Sequence, residues 1–140
     1  MNITSIRWGE ALALPAYTYG TASGALSAAA GYAAAHPPGS FTFHPTDGIS
    51  LSPEWTRNFY EGSTLSRLQP ILAGVSALVH GVRGGFELAE GLRESNGRKQ
   101  LAGALDLGIA ATSALSLASP GIGGAATLGL VAARAVLAVV

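Results

Sequence analysis

The chain has 140 residues, no cysteine, a formal net charge of zero, and 11% charged residues, where about 25% is usual. The length predicts one domain, and the lack of cysteine excludes disulfides, thiolate metal ligands and thiol catalysis. The balanced charge gives no indication of a nucleic-acid partner. Gly, Ala, Ser and Thr replace the missing charges, so we expect poor solubility unless a partner, a cytosolic chaperone or a membrane covers apolar surface.

Residues 1–62 predict a loop-rich N-terminal region with short helices. Residues 1–20 lack the pattern of a secretory signal, because one Arg is offset by Glu10 and Pro15 interrupts a short apolar run. Residues 21–35 are rich in Ala and have helical propensity, but they contain only one large aliphatic side chain. They predict a marginal or partly disordered helix, with a third membrane-associated helix as the alternative.

Proline and glycine punctuate residues 36–52 and predict a loop. A short helix over 53–61 should follow, because Ser52 can cap it and a proline occupies its first position. Trp55 and Phe59 fall on one face of this helix, so we expect them to cover the larger helices.

Residues 63–140 predict an all-α region, in which an amphipathic helix packs on a C-terminal helical hairpin. The amphipathic helix begins at Ser63 or Thr64, runs to about residue 94, and is bent or restarted at Pro70. Its apolar positions follow a helical period: Ile71, Val75, Leu78, Val82 and Phe86. The opposite stripe is polar and predicts a solvated face: His80, Arg83, Glu87, Glu90 and Glu94. After it, Asn96 or Gly97 can adopt the left-handed conformation that ends the helix.

Two further helices, about 98–118 and about 122–140, are predicted on either side of a short break at Ser119-Pro120-Gly121. Pro120 cannot continue a helix, and Gly121 relaxes the backbone. The sequence therefore predicts a tight helical hairpin that turns at Pro120 and Gly121, and not one long rod.

Small residues recur at every fourth position in three rows, and each row predicts a ridge where a neighbouring helix can approach closely. The first row is Ala73, Ala77, Gly81, Gly85 and Ala89. The second row is Ala104, Gly108, Thr112 and Ser116. The third row is Gly121, Ala125, Gly129 and Ala133. Self-association through the first row is a predicted route to oligomers.

One acid and one base stand alone in the central part of the hairpin. Asp106 and Arg134 lie at equal distances before and after Pro120 in the sequence, and no charged residue lies between them. In an antiparallel hairpin that turns at the proline, the two side chains come level. Because each of these distances is a whole number of heptads, both side chains also hold the same rotational position, so we predict that they pair.

The hairpin has the dimensions of a membrane-inserting element. Each arm has about 19 residues, or roughly 29 Å, close to the ~30 Å hydrocarbon core of a bilayer. The uncharged turn can cross a bilayer, and Arg98 and Lys99 mark the open end, which the positive-inside rule places in the cytoplasm. The alternative is a soluble helical bundle, favoured by the hydroxyl residues and Asp106 in helix 98–118.

No enzyme or cofactor is predicted. His36 and His44 match no recognised metal-ligand spacing, and the glycine-rich stretches lack the lysine of a phosphate loop. No serine lies in a nucleophile-elbow pattern, and the acidic residues near Glu87 predict a solvated face rather than a catalytic pair. Because His80 lies on the polar stripe, we predict that it is solvated. A pH-responsive role in insertion is the alternative.

A Ser/Thr-containing start, Met1 to Ile6, together with the late hairpin of 101–119 and 121–140, resembles small bacterial proteins exported by type III secretion. Effectors and translocators of that class combine a pliable N-terminus with a glycine-rich membrane hairpin. The resemblance implies delivery into a host cell, insertion into a host membrane and a cytosolic chaperone before export. It concerns the layout of the chain and assigns no functional residue.

The sequence therefore predicts a non-enzymatic protein that inserts into a membrane and acts through small-residue helix packing, with membrane lipid, a membrane protein or a second copy as its partner. Its location would be a membrane, after secretion into a host cell. The alternative is a soluble all-α interaction or assembly subunit, such as a phage or secretion-apparatus component, which buries its ridges by self-association in the cytoplasm or in an assembly.

Overall fold

The computed structural model describes residues 8–35 and 64–140. Within these ranges the chain is all-α and holds five helices: α1 (Trp8–Ala11), α2 (Ala13–Ala35), α3 (Leu65–Arg93), α4 (Gly97–Leu115) and α5 (Pro120–Val139). The amphipathic helix and the C-terminal hairpin are present as predicted. The predicted loop 36–52 and the predicted helix 53–61, with Trp55 and Phe59, lie outside the described residues.

The break between α3 and α4 is a tight turn with a shared capping residue. Ser95 adopts the left-handed conformation, with φ of 52°, so the prediction that Asn96 or Gly97 would do so was wrong. Asn96 is extended and caps α4, where its side chain accepts hydrogen bonds from the backbone N–H groups of Arg98 (3.1 Å) and Lys99 (3.2 Å). Because Asn96 is extended where it caps α4, the left-handed residue that ends α3 is the one before it, Ser95.

The hairpin turn lies slightly earlier in the chain than predicted. Helix α4 ends at Leu115, and α5 already begins at Pro120, with Ser119 as the residue before it. Proline suits the first position of a helix because its missing N–H would have no partner there. Pro120 and Gly121 thus belong to the first turn of α5, and residues 116–119 make the connection.

The four long helices form an up-and-down bundle, in which α2, α3, α4 and α5 follow one another around a ring and α5 closes against α2. Every neighbouring pair is antiparallel. At one end, the start of α2 meets the α3–α4 turn and the end of α5; we call it the charged end, since Arg93, Arg98 and Lys99 lie there. At the other end, Gly31 of α2 packs against Gly121 of α5.

Helix α2 makes the N-terminal region more regular than the sequence predicts. It is a continuous helix of 23 residues that packs against both α3 and α5. Its Gly24 and Gly31 face atoms of α5 so closely that a Cβ at either position would overlap them. The predicted boundary at residue 62 therefore does not separate α2 from the bundle, because a helix poor in large side chains can still be buried through close backbone approach.

The interior of the bundle is small and polar, while its outer surface is apolar. The buried apolar side chains are mostly alanine: Ala16, Ala30, Ala33, Ala73, Ala102, Ile109 and Val131. The buried polar set is larger: Ser23, Ser27, Gln69, Ser76, His80, Arg83, Glu87, Asp106, Ser113, Ser116, Thr127 and Arg134. Large aliphatic side chains that are more than half exposed include Leu14, Ile71, Leu78, Leu92, Ile122 and Val136. This is the reverse of the usual distribution in water-soluble proteins.

The amphipathic helix α3 faces the opposite way from the prediction. Its buried residues are spaced by alternating steps of four and three: Gln69, Ala73, Ser76, His80, Arg83 and Glu87. This is the spacing of a helix–helix seam. The polar stripe thus lies inside, while Ile71, Leu78, Val82 and Phe86 lie on the outer surface. The prediction of a solvated face was wrong for His80, Arg83 and Glu87; Glu90 is half-buried and Glu94 is exposed.

The three rows of small residues lie only partly at helix contacts. Ala73 and Ser116 are buried, and Ala77, Gly81, Gly108, Thr112 and Gly121 are half-buried. The remaining members are exposed and so do not form the predicted buried ridges: Gly85, Ala89, Ala104, Ala125, Gly129 and Ala133. The reason is geometric, because each step of four residues turns about 40° around the helix, so the row leaves the seam after two or three steps.

Other glycines make the closest approaches. A Cβ on Gly103 of α4 would lie 2.6 Å from the backbone N of Leu88, and one on Gly84 of α3 would lie 2.8 Å from the carbonyl oxygen of Gly103. A Cβ on Gly124 of α5 would lie 2.8 Å from the carbonyl oxygen of Gly24 in α2. The helix backbones are therefore in direct contact at these positions. The interior of the bundle is narrow as a result, and it holds small or polar side chains and few large apolar ones.

Candidate functional site

A cluster of charged side chains is buried near the charged end of the bundle. Arg134 of α5 donates from Nε to Asp106 Oδ2 at 3.1 Å and from Nη2 to Glu87 Oε2 at 2.7 Å. Arg83 Nε lies 3.1 Å from Glu87 Oε1, so two arginines hold the same carboxylate. The structure thus places Asp106 and Arg134 together, at the level where the hairpin register predicts them, and adds two residues of α3 to the pair.

Asp106 is the centre of this cluster and is fully buried. Besides Arg134, its carboxylate contacts His80 Nδ1 at 2.7 Å and faces Arg83 Nη1 at 3.6 Å. A buried carboxylate needs such partners, because removing an ion from water is costly unless opposite charge and hydrogen bonds replace the water. Three cationic or proton-bearing groups surround one carboxylate here.

His80 connects three helices through one ring. It lies on α3 and is fully buried, so the prediction of a solvated histidine was wrong. Its Nδ1 contacts Asp106 on α4, and its Nε2 lies 2.8 Å from the carbonyl oxygen of Ala16 on α2. Gly20 of α2 makes room for the ring, because a Cβ there would lie 2.6 Å from Nε2.

An open cleft leads from the charged end to this cluster. Its inner wall includes Tyr17, Arg83, Glu87 and Arg134, and its volume is about 430 Å³. The Arg83 guanidinium lies over the Tyr17 ring, 5.3 Å from the ring centre, in a cation–π arrangement. A smaller adjoining cleft of about 260 Å³ shares several of these residues and is also lined by Glu10. The buried charges are therefore next to solvent at this end.

Ion pairs and a helix-end contact hold the rim of the cleft. Lys99 Nζ lies 2.7 Å from Glu94 Oε2 and 3.6 Å from Glu90 Oε2. Arg98 donates from Nη1 to the carbonyl oxygen of Val140 at 2.6 Å and from Nη2 to that of Leu137. Because carbonyls at a helix C-terminus lack partners within the helix, a basic side chain suits that place.

Below the charged cluster, hydroxyl and amide side chains continue along the bundle axis. Ser76 and Ser113 share a hydrogen bond of 2.8 Å across α3 and α4. Nearer the opposite end, Gln69 Nε2 donates to Ser27 Oγ at 2.9 Å and to the carbonyl oxygen of Ser116 at 3.2 Å. These side chains and the charged cluster together link all four long helices by polar contacts along the length of the bundle, and we call them the polar axis.

Two further hydroxyls complete this axis. Thr127 donates to Thr112 at 2.9 Å across the hairpin. Ser23 of α2 is fully buried, and its Oγ has no hydrogen-bond partner among the described residues. A buried hydroxyl without a protein partner is a usual place for an internal water molecule.

Sequence reasoning found Asp106 and Arg134 but missed His80, Arg83 and Glu87 as buried residues. The available signal was the spacing of the polar positions in α3, because steps of four and three mark a seam that faces other helices. Within residues 8–35 and 64–140, no group of three or more His, Asp or Glu side chains is arranged to hold a metal ion. His36 and His44 lie outside these ranges.

No family model, curated protein or solved structure matches this chain. The resemblance to type III secretion effectors therefore stays a prediction from the sequence. Among the described helices, only α5 is long and apolar enough to cross a membrane by length and composition. Of its most apolar stretch of 18 residues, 28% is buried in the bundle. A soluble protein's core helix and a signal sequence also satisfy that test.

Proposed function

We propose that this protein inserts into a membrane as a four-helix bundle, with its apolar outer surface against lipid and its polar axis inside. The observation that carries the proposal is the inverted distribution of side chains. Leu78, at the middle of α3, is 67% exposed, while His80 and Ser76 beside it are fully buried. In lipid, helices associate through small residues and polar contacts, and ionisable side chains face the interior and pair with one another.

The position of the charges also supports this proposal. On α3, the exposed charges are at Arg67 and Arg93, near the two ends, and the charged residues between them are buried or half-buried. On α4 and α5, Asp106 and Arg134 are the charges within the helices beyond the first turn of α4, and both are buried. The outer surface formed by the described helices thus has a central belt without charge, as a hydrocarbon layer requires.

Helix lengths agree with the thickness of a bilayer. Helices α4 and α5 have 19 and 20 residues, and α2 has 23. At 1.5 Å per residue these lengths are roughly 28–35 Å, against a hydrocarbon core of about 30 Å. Polar residues lower the average hydropathy of α2, α3 and α4. Those in the middle of α3 and α4 are mostly buried, whereas Thr18 and Thr21 of α2 are exposed. The basic residues at the charged end favour a cytoplasmic position for that end.

The experiment compares two substitutions of equal chemistry at different depths. Leu78 and Leu92 both lie on the outer surface of α3, with exposures of 67% and 62%, but Leu78 is central and Leu92 is next to the charged end. In a bilayer, Leu78→Lys should lower insertion by about 3 kcal/mol, while Leu92→Lys should be tolerated because its ammonium group reaches the interface. Carbonate-resistant partitioning into liposomes measures both.

A contrary result is equally clear. If the wild-type chain is monodisperse without detergent and does not partition into liposomes, the membrane proposal is refuted. Equal tolerance of both substitutions would also contradict it, since exposed positions of a protein in water usually accept such changes within about 0.5 kcal/mol. Stable soluble oligomers that Leu78→Lys dissociates would favour the alternative, an assembly subunit that buries its outer surface on further copies.

A further inference from the structure

Both ring nitrogens of His80 face oxygen atoms at hydrogen-bond distance. Nδ1 lies 2.7 Å from Asp106 Oδ1, and Nε2 lies 2.8 Å from the carbonyl oxygen of Ala16. A backbone carbonyl and an ionised carboxylate can only accept, whereas a neutral imidazole has one donor and one acceptor nitrogen. Turning the ring over would place carbon atoms at the same short distances, so it offers no solution. A neutral histidine beside a carboxylate would leave one contact without a proton.

We propose that the His80–Asp106 pair is a proton-binding site in the interior of the bundle, with His80 present as an imidazolium that donates to both oxygens. The proton belongs on the ring and not on Asp106 for an electrostatic reason. Asp106 Oδ2 accepts from Arg134, and Oδ1 faces Arg83 Nη1 at 3.6 Å. The two guanidinium groups favour the ionised carboxylate and oppose a further cation, but the carboxylate is in direct contact with Nδ1 and stabilises the imidazolium there.

Charged groups face the site from every helix that packs against it. The titratable and charged groups near it are Glu10 on α1, Tyr17 on α2, Arg83 and Glu87 on α3, Asp106 on α4, and Arg134 on α5, with Lys99 and Glu90 further out. Protonated His80 and the two arginines make three cations. Two buried carboxylates, Asp106 and Glu87, lie among them, and the exposed Glu10 lines the cleft beside Arg83 and Arg134.

The bound proton supports one of the contacts between α2 and α3. His80 is the buried side chain that bonds the Ala16 carbonyl on α2 while also holding Asp106 on α4. Release of the proton leaves the ring with a single N–H, so one of these two bonds is lost. A backbone carbonyl faced by a bare nitrogen repels it, and we expect the start of α2 to loosen from α3 when the site is empty. This inference holds whether lipid or water surrounds the bundle.

The test is a direct observation of the ring protons by nitrogen-15 NMR. In the full chain with His36→Gln and His44→Gln, His80 gives the remaining histidine signals. An exposed histidine has a pKa of about 6.5 and is mostly neutral at pH 7.5. At this pH both ring nitrogens of His80 should nevertheless show an attached proton. In Asp106→Asn the amide N–H can donate to Nδ1, so one of the two N–H correlations should disappear and the Nε2 correlation remain.

Two results would overturn the proposal. One is a folded wild-type chain in which a single ring nitrogen of His80 carries a proton at pH 7.5. The other is an Asp106→Asn chain that keeps both N–H correlations, since that would place the proton under the control of another group. If Asp106→Asn does not fold, the wild-type spectrum decides by itself, because it requires no change in the cluster.

Discussion

The two glycines Gly124 and Gly129 lie on the same helix, and they should respond in opposite ways to substitution by alanine. Apart from the backbone of its own helix turn, no atom of residues 8–35 and 64–140 lies within 4 Å of a Cβ added at Gly129. At Gly124 the Cβ would overlap the backbone N of Ala28 and would lie 2.8 Å from the carbonyl oxygen of Gly24. The obstructing atoms are backbone of α2, so no side chain can rotate away.

The expected magnitudes follow from this geometry. Alanine is favoured over glycine in a helix interior by about 1 kcal/mol, so Gly129→Ala should raise the free energy of unfolding by about that amount. Gly124→Ala has the same helical gain, but the backbones of α2 and α5 must move apart by roughly an ångström, and overpacking of this kind costs about 1–3 kcal/mol. The two variants should thus differ by roughly 1–3 kcal/mol.

Thermal unfolding followed by circular dichroism measures the difference, in the detergent or buffer that keeps the wild-type chain monodisperse. For a chain of this size, 1 kcal/mol corresponds to about 4 °C in Tm, so Gly129→Ala should melt about 4–12 °C above Gly124→Ala. Equal increases in Tm for both variants would refute the close approach of α2 and α5. A loss of stability in Gly129→Ala alone would show instead that the predicted row of small residues, and not Gly124, makes the contact.

Two further changes test the polar axis. Asp106→Asn and Arg134→Met should each destabilise the fold by at most about 3–5 kcal/mol, because each removes one charge from a buried network in which Arg134 still has Glu87 and Asp106 still has His80 and Arg83. The double variant should lose about 1–3 kcal/mol less than the sum, and additive losses in denaturant unfolding would contradict the pairing. Ser76→Ala should lower the free energy of unfolding by about 1–3 kcal/mol, because it leaves Ser113 without its partner. The double change Ser76→Ala with Ser113→Ala should lower it less. If the double variant is the less stable in the same unfolding assay, the shared hydrogen bond is contradicted.

Much of the local structure could be predicted from the sequence. The helices α3, α4 and α5 follow from periodicity, capping residues and proline, which act within a few residues of one another. The pairing of Asp106 with Arg134 follows from their equal distances to Pro120, because the turn sets the register of both arms. Local rules suffice for such features.

Local rules could not predict which face of α3 is buried. The alternation of polar and apolar residues along α3 establishes two faces, but it does not say which one meets the other helices. A wet outer face was predicted because that is the usual case in water. In the structure, the polar face finds its partners on α2, α4 and α5, and the contact of His80 with Ala16 joins residues 64 positions apart.

By itself, the sequence determined α3, α4 and α5 to within a few residues, the fold-back of the chain near Pro120 and the pairing of Asp106 with Arg134. Only the tertiary structure decided that α2 belongs to the bundle, that His80, Arg83 and Glu87 are buried, and that glycines outside the regular rows make the closest contacts. The physical reason is that helix periodicity orients side chains relative to one another, whereas their burial depends on hydrogen-bonding and steric complementarity between segments far apart in the chain.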